Sequence, residues 1–278
     1  MPRISLAPTL LALLFLALPL QAQERTQSNC VALAQSTPGM EFIQPASFTD
    51  PVPGETVRIS YLDHATFLIQ TERGLSVATD YTGYLGTGDF VPTVATMNNG
   101  HETHWTSHPD PRIAHVLRGW PQNGRVADIS LDLGEMLIRN VTTDLRGRTF
   151  DPDAAPRANG NSIFVFEVAG LCIGHLSHLH HEPTAAQYAT LGRMDVVMAP
   201  VDGAYTMDQA AMARVIRRLH SRIILPMHWF DPETLAHFLA GMQADFPIET
   251  RTTNSIEVSF GSLPAKPTIV VLSPHWLD

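Results

Sequence analysis

Near residue 171 the apolar pattern of this 278-residue chain changes period, and few architectures accommodate both halves. Before that point, short apolar runs at 57–62, 66–70, 75–80, 135–141 and 162–168 are separated by polar or glycine-bearing segments, as in a meander of strands. After it, strands at 171–174, 195–200 and 223–226 alternate with helices at 184–191, 207–219 and 232–244. The unbroken run Val196-Val197-Met198-Ala199-Pro200 is of the kind buried on both faces. The helix after it ends in Arg214, Arg217, Arg218 and His220, where the helix dipole favours cations. A strand-rich half followed by this alternation implies two sheets with helices packed outside. Residues 81–125, rich in Gly, Pro, Asn and His, read as loops carrying polar groups, as does the stretch containing Asp151-Pro152-Asp153. No repeat or low-complexity tract divides the chain further, so one domain is expected.

That domain is expected at 56–278, after an irregular segment at 23–55 and a secretory signal at 1–22. The signal reading rests on Arg3, the apolar run at 10–18 and the small-residue exit at Gln21-Ala22-Gln23. The run is shorter than the roughly 20 residues of a membrane span, so no stable membrane insertion is expected after cleavage. The expected location is therefore periplasmic or secreted. A net charge of −9 argues against a nucleic-acid partner, which needs clustered Lys and Arg. Cys30 and Cys172 are the only cysteines, and two readings stay open: a disulfide, or a buried thiol with a Cys on a loose segment. Oligomeric state leaves no signature.

The 13 histidines are unevenly spread. His64, the pair His101 and His104, the group His175, His178, His180 and His181, and His228 all fall at strand ends or in nearby loops. Rigid scaffolds mount chemistry there, and neutral imidazole is the commonest metal ligand. The isolated His108, His115, His220, His237 and His275 are read as ordinary surface or hydrogen-bonded residues. Trp105 and Trp120, in the long polar loop, are candidates to line a pocket, and Arg146-Gly147-Arg148 to meet an anionic substrate.

Five motifs, in order, resemble the metallo-β-lactamase superfamily, and within it the branch of ascorbate-phosphate lactonase-like proteins. They are Tyr61-Leu62-Asp63-His64-Ala65-Thr66, Ala78-Thr79-Asp80, Gly174-His175-Leu176-Ser177-His178, Pro200-Val201-Asp202-Gly203-Ala204-Tyr205-Thr206 and Pro226-Met227-His228-Trp229. The resemblance implies an α+β fold, an αββα sandwich of two mixed β-sheets flanked by helices. It also implies metal-dependent hydrolysis of a small-molecule substrate.

The departures bear on the metal. The superfamily loop His-x-His-x-Asp-His stands here as Asn99-x-His101-x-Thr103-His104, and its bridging Asp stands as His178. Asp202 replaces a usual Gly, and the Val141-Thr142-Thr143-Asp144 segment lacks a further expected His. A dinuclear zinc site needs carboxylates to offset two ions. Replacing them with Thr and His points to one divalent ion, Zn or alternatively Fe or Mn, held by His101, His104, His178 and His228 with Asn99 beside them. Asp80, Glu102 and Asp202 are the candidate catalytic carboxylates. The expected function is an exported hydrolase of an ester, lactone or phosphoester. The alternatives are a binding protein that has lost the chemistry and, because all-His sites also suit iron or copper, a redox protein.

Overall fold

The computed structural model describes residues 25–32, 47–147 and 154–278. The expected signal at 1–22 and the Asp151-Pro152-Asp153 segment lie outside the described residues. In chain order the elements are α1 (Asn29–Ala32), β1 (Thr56–Asp63), β2 (Thr66–Thr71), β3 (Ser76–Ala78), β4 (Val94–Met97), β5 (His115–Arg118), β6 (Ser130–Asp132), β7 (Met136–Leu145), β8 (Arg157–Val168) and β9 (Leu171–His175). Then follow α2 (Ala185–Leu191), β10 (Val196–Pro200), α3 (Gln209–Leu219), β11 (Ile223–Met227), α4 (Pro232–Met242), β12 (Ile248–Thr250), β13 (Ser255–Ser259) and β14 (Thr268–Val271).

Two mixed sheets result. One runs β13-β1-β2-β3-β4-β5, the other β12-β14-β11-β10-β9-β8-β7-β6. The change of sequence period near residue 171 becomes a change of pairing. Strands β6 to β9 follow one another in the chain with no helix between them and pair antiparallel. Strands β9, β10 and β11 are separated by helices and pair parallel, because a crossover needs a dozen or more residues and usually a helix. The loop reading of 81–125 needs correction: β4 and β5 lie within it and pair parallel with β3 and with each other. Each has only four residues, too few to show a period.

The faces of the sheets explain the packing. Ile59, Phe67 and Ile69 of the first sheet meet Ile138, Phe166 and Ile173 of the second in one buried core. The outer face of the second sheet, with Val165, Val197 and Ile224, is covered by Met212, Val215 and Ile216 of α3 and Phe238 of α4. The outer face of the first sheet is covered instead by loop and C-terminal residues, among them Tyr81, Ile113, Trp105, Trp120 and Leu277. Trp105 and Trp120 pack against this cluster, their rings 6.0 Å apart, and Trp105 also lines the cavity beside His101, as expected of it.

Each long helix starts where its first free N–H groups find a side chain. Asp208 accepts from Ala210 and Ala211, Asp231 from Thr234, and Thr184 forms a capping box with Gln187. The cysteine question also resolves. Cys30 and Cys172 are joined, Cα atoms 5.9 Å apart, fastening α1 to β9. Glu167 secures the same segment, accepting from Ser28 Oγ (2.6 Å) and the Asn29 N–H (2.8 Å) while paired with Arg139 (2.7 Å).

Candidate metal centre

Strand ends from both sheets converge on one spot. His64 occupies the two-residue turn between β1 and β2, and Asp80 follows β3. His101 and His104 lie on a single 3-10 turn, Glu102–His104, and its preceding residue after β4. Ser177 and His178 follow β9, Asp202 follows β10, and His228 follows β11. Four of these residues have left-handed backbones although none is glycine: His64 (φ 44°), Asp80 (φ 41°), Ser177 (φ 51°) and His228 (φ 58°). Each such residue costs on the order of 1–3 kcal/mol and persists only where its surroundings over-determine it. Here they do: the His64 carbonyl accepts from the His228 N–H (2.7 Å) and the Tyr61 hydroxyl (2.8 Å), fixing the turn of one sheet to the strand end of the other.

One ring nitrogen from each of His64, His101, His104 and His228 lies within 4.8 Å of the other three. Two of these rings are aimed by buried carboxylates. His104 Nδ1 donates to Asp80 Oδ2 at 2.6 Å, and His228 Nδ1 is 3.0 Å from Asp202 Oδ1, an ion-pair distance at an angle too poor for a good hydrogen bond. With its Nδ1 proton directed at Asp80, His104 presents a lone pair on Nε2, and this atom faces His228 Nε2 3.1 Å away. A proton on His228 Nε2 or a metal ion joins this pair. His64 Nε2 and His101 Nε2 are buried with no hydrogen-bond partner, and such groups are costly unless something unbound here completes them. A metal ion takes four nitrogens; a proton takes two. The residues present therefore fit a single ion.

The electrostatics agree. Burial pushes the His64 imidazole down to about 3, and burial likewise lowers His101, with His228 nearby adding to both. Burial holds His104 and His178 well below the usual imidazole range. These rings are neutral near pH 7, the protonation state of a ligand. Burial raises the Asp80 carboxyl, opposed by His175, Ser177 and Asn98. Burial also acts upward on Asp202, but contacts with His228 and Thr206 outweigh it and hold that carboxyl well below the usual range.

The predicted residues fall into distinct places. His101, His104 and His228 are brought together, joined by His64, which the sequence reading noted at a strand end but did not include in its ligand set. The available signal was a histidine in a two-residue turn between strongly apolar strands. His178 stands outside the group of four nitrogens. Its ring centre is 4.6 Å from that of His101 and 4.7 Å from that of His104, and both its nitrogens are buried without partners. Asn99 lies on the rim, its carbonyl accepting from Arg157. Asp80 is fully buried behind His104 and also accepts from Ser177 Oγ (2.5 Å) and Asn98 Nδ2 (3.2 Å). Asp202 Oδ2 accepts the N–H groups of Ala204, Tyr205 and Thr206. Glu102 alone of the three carboxylates is exposed, and it lines a cavity of about 1080 Å³ with His101, His178 and Arg146. Thr103, at the lost loop Asp, bonds His101 Nδ1 at 2.8 Å.

Comparison with known proteins agrees with this geometry. The model of the family described as Beta-lactamase superfamily domain matches residues 58–228, more than half of the chain. No curated protein matches significantly. Among solved structures, a Thermotoga maritima protein assigned to the Zn-dependent hydrolases of the metallo-β-lactamase superfamily is 24% identical, with TM-score 0.54, over 78% of this chain and 98% of its own. A Parabacteroides distasonis protein assigned as a metal-dependent hydrolase is 15% identical over 67% of this chain and 88% of its own, TM-score 0.49. Igni18, a metallo hydrolase from Ignicoccus hospitalis, is 18% identical over 68% and 91%, TM-score 0.47. The family match reaches the superfamily and not the ascorbate-phosphate lactonase-like branch within it. Since the matched segment spans β1 to the last histidine of the cluster, on a sandwich of two mixed sheets, the chain belongs to the β-lactamase superfamily and has the metallo-β-lactamase fold.

Proposed function

We propose that this chain is an exported, mononuclear metal-dependent hydrolase acting on an ester, lactone or phosphoester of a small molecule. The observation that carries the reading is the group of four imidazole nitrogens within 4.8 Å of one another, two of them on rings that face buried carboxylates. Two carboxylates, each acting through an imidazole, balance one divalent ion; a second ion would leave about two charges buried without compensation, which is costly. His64, His101, His104 and His228 would hold the ion, and an all-imidazole set suits zinc, with iron or manganese as alternatives. A bound ion of this kind supplies Lewis acidity and an activated water.

The chain's own residues supply the rest. Asp80 and Asp202 fix ring orientation and tautomer, as carboxylates behind metal-ligating histidines do. Both carboxylates are engaged, so Glu102, open to the cavity, is the one placed to accept a proton from an incoming water. Export is supported by the Cys30–Cys172 disulfide, which persists in oxidising compartments.

The test is elemental analysis of protein purified without chelator or affinity tag, followed by a hydrolysis screen with the three substrate types. About one equivalent of metal, lost in His104→Ala, is expected for a single structural ligand set. Less than about a tenth of an equivalent, unchanged by added ions, would return the binding-protein reading.

A further inference from the structure

Phe230 and Tyr205 are large apolar side chains left 56% and 53% exposed, and they touch each other beside the histidine cluster. Their ring centres are 5.2 Å apart. The Phe230 ring is 5.4 Å from the rings of both His64 and His228, and the Tyr205 ring is 6.5 Å from His101. Single exposed apolar residues are ordinary on protein surfaces. A contacting pair at the mouth of a buried polar centre is not, and about half of each side chain stays open to solvent. What holds them is backbone. The Tyr205 N–H donates to Asp202 Oδ2 (2.5 Å), while its carbonyl accepts from Arg146 (2.5 Å) and from His180 Nε2 (2.8 Å). His180 is the neutral tautomer needed for this, because its Nδ1 accepts the Arg146 N–H. Phe230 is fixed between Trp229, which packs into the core, and Asp231, which caps α4 by accepting from Thr234. Two aromatic rings are thus presented to solvent on rigid backbone, in contact with the imidazole cluster.

We infer that Phe230 and Tyr205 form a platform for an aromatic or other planar apolar group attached directly to the bond being hydrolysed. Aromatic rings pair with such groups edge-to-face or offset-stacked at centroid separations of about 4.5–7 Å. A pre-positioned pair does this without losing side-chain freedom on binding. The platform rings already touch the imidazoles, at centroid distances of 5.4–6.5 Å, so a planar group laid on their exposed faces lies directly beside the cluster and is joined to the acyl or phosphoryl centre itself or to its leaving oxygen. The inference rests on the hydrolase reading only in taking the imidazole cluster as the reaction centre.

The experiment compares equilibrium binding of phenylphosphonate and methylphosphonate to the protein as purified, by calorimetry, so that turnover is not required. The two probes carry the same anionic group and differ only in the ring. Phenylphosphonate is expected to bind about tenfold more tightly, which corresponds to about 1.4 kcal/mol. Phe230→Ala with Tyr205→Ala should bring the two affinities to within about twofold of each other while leaving that of methylphosphonate unchanged; both side chains are exposed, so folding is not at stake. Equal affinities in the unaltered protein, no binding of either probe, or a preference that survives the double substitution would overturn the platform. Metal content, measured on the same samples, judges the hydrolase reading separately. Metal-free protein that still prefers phenylphosphonate keeps the platform and loses the hydrolase; metal-loaded protein with equal affinities does the reverse.

Discussion

Metal-free protein should lose stability steeply as pH falls below 6.5, and the size of the effect follows from the site. Six histidines are pushed down chiefly by burial: His64 to about 3, His180 to about 4, and His101, His104, His175 and His178 in the same direction. In the unfolded chain these rings titrate near 6.5. Between 6.5 and the depressed folded values the unfolded state therefore binds more protons than the native state. Stability is present above pH 6.5 and is lost as pH falls toward the folded values. Each such ring contributes up to about 1.4 kcal/mol per pH unit. Asp63, Asp80 and Asp195, whose carboxyls burial raises, favour the native state as pH falls. If each fully offsets one histidine, a net uptake of about three protons and a slope of about 4 kcal/mol per pH unit remain. Against a typical stability of about 5–15 kcal/mol, unfolding should follow within a few pH units. Urea titrations in a chelator at half-unit intervals from pH 7.5 to 5 measure the slope directly. A net uptake below about one proton would mean the imidazoles are not buried as neutral rings, and the account of the site would fail with it.

Three further outcomes follow from individual contacts. Asp80→Asn keeps the shape but exchanges an anion for an amide behind His104, and should weaken metal binding about 10–100-fold in chelator competition, with Asp202→Asn close behind. Gly100→Ala would place a methyl group 2.7 Å from the His178 ring, so thermal unfolding should show a loss of about 1–3 kcal/mol, with His178 displaced. Cys30→Ser opens a covalent loop of 142 residues, for which loop entropy gives at most about 5 kcal/mol. The measured loss should be smaller, because the freed native segment, held otherwise by Glu167 and by Arg193 bonding the Cys30 carbonyl, also gains freedom. An unchanged denaturation midpoint would show that the bridge constrains nothing.

The sequence made the centre of the second sheet legible because β10 and β11 are short apolar runs each followed by a helix with its own cap, so β10, α3, β11 and α4 fall within about two residues of expectation. Strands β7 and β8 run longer than their apolar stretches. Their polar ends, such as Thr143 and Asn161, still pair across the ladder, and hydrogen bonding leaves no hydropathy signal. The edge strands β12 and β13 carry few buried residues and were invisible for the same reason. At the site, motif order pointed to His101, His104 and His228, but the roles of neighbouring residues depend on direction, which sequence does not carry. His178 and His64 are both histidines at strand ends. Only the left-handed turn at His64, fixed to the His228 N–H, brings one of them into the group of four nitrogens.

The substitutions that set this site apart from the superfamily pattern are not independent. Thr103, where the resemblance expects the loop Asp, holds His101 Nδ1; Asp202, where it expects Gly, approaches His228 Nδ1; and Asp80 holds His104 Nδ1. Three of the four clustered imidazoles are thus aimed from behind, and carboxylate charge stands one imidazole further from the ion than direct ligation would place it. Random loss of function would have no reason to leave an oxygen behind three of the four rings. The idea yields a ranking. Thr103 is a neutral, exposed partner whose hydrogen bond contributes about 1 kcal/mol, so Thr103→Val should weaken metal binding only about fivefold. Asp80 contributes charge as well as orientation from a fully buried position, and its removal should cost distinctly more. If chelator competition instead finds Thr103→Val the more damaging change, orientation of His101 rather than charge behind His104 governs the site, and the neutrality argument for a single ion loses its footing.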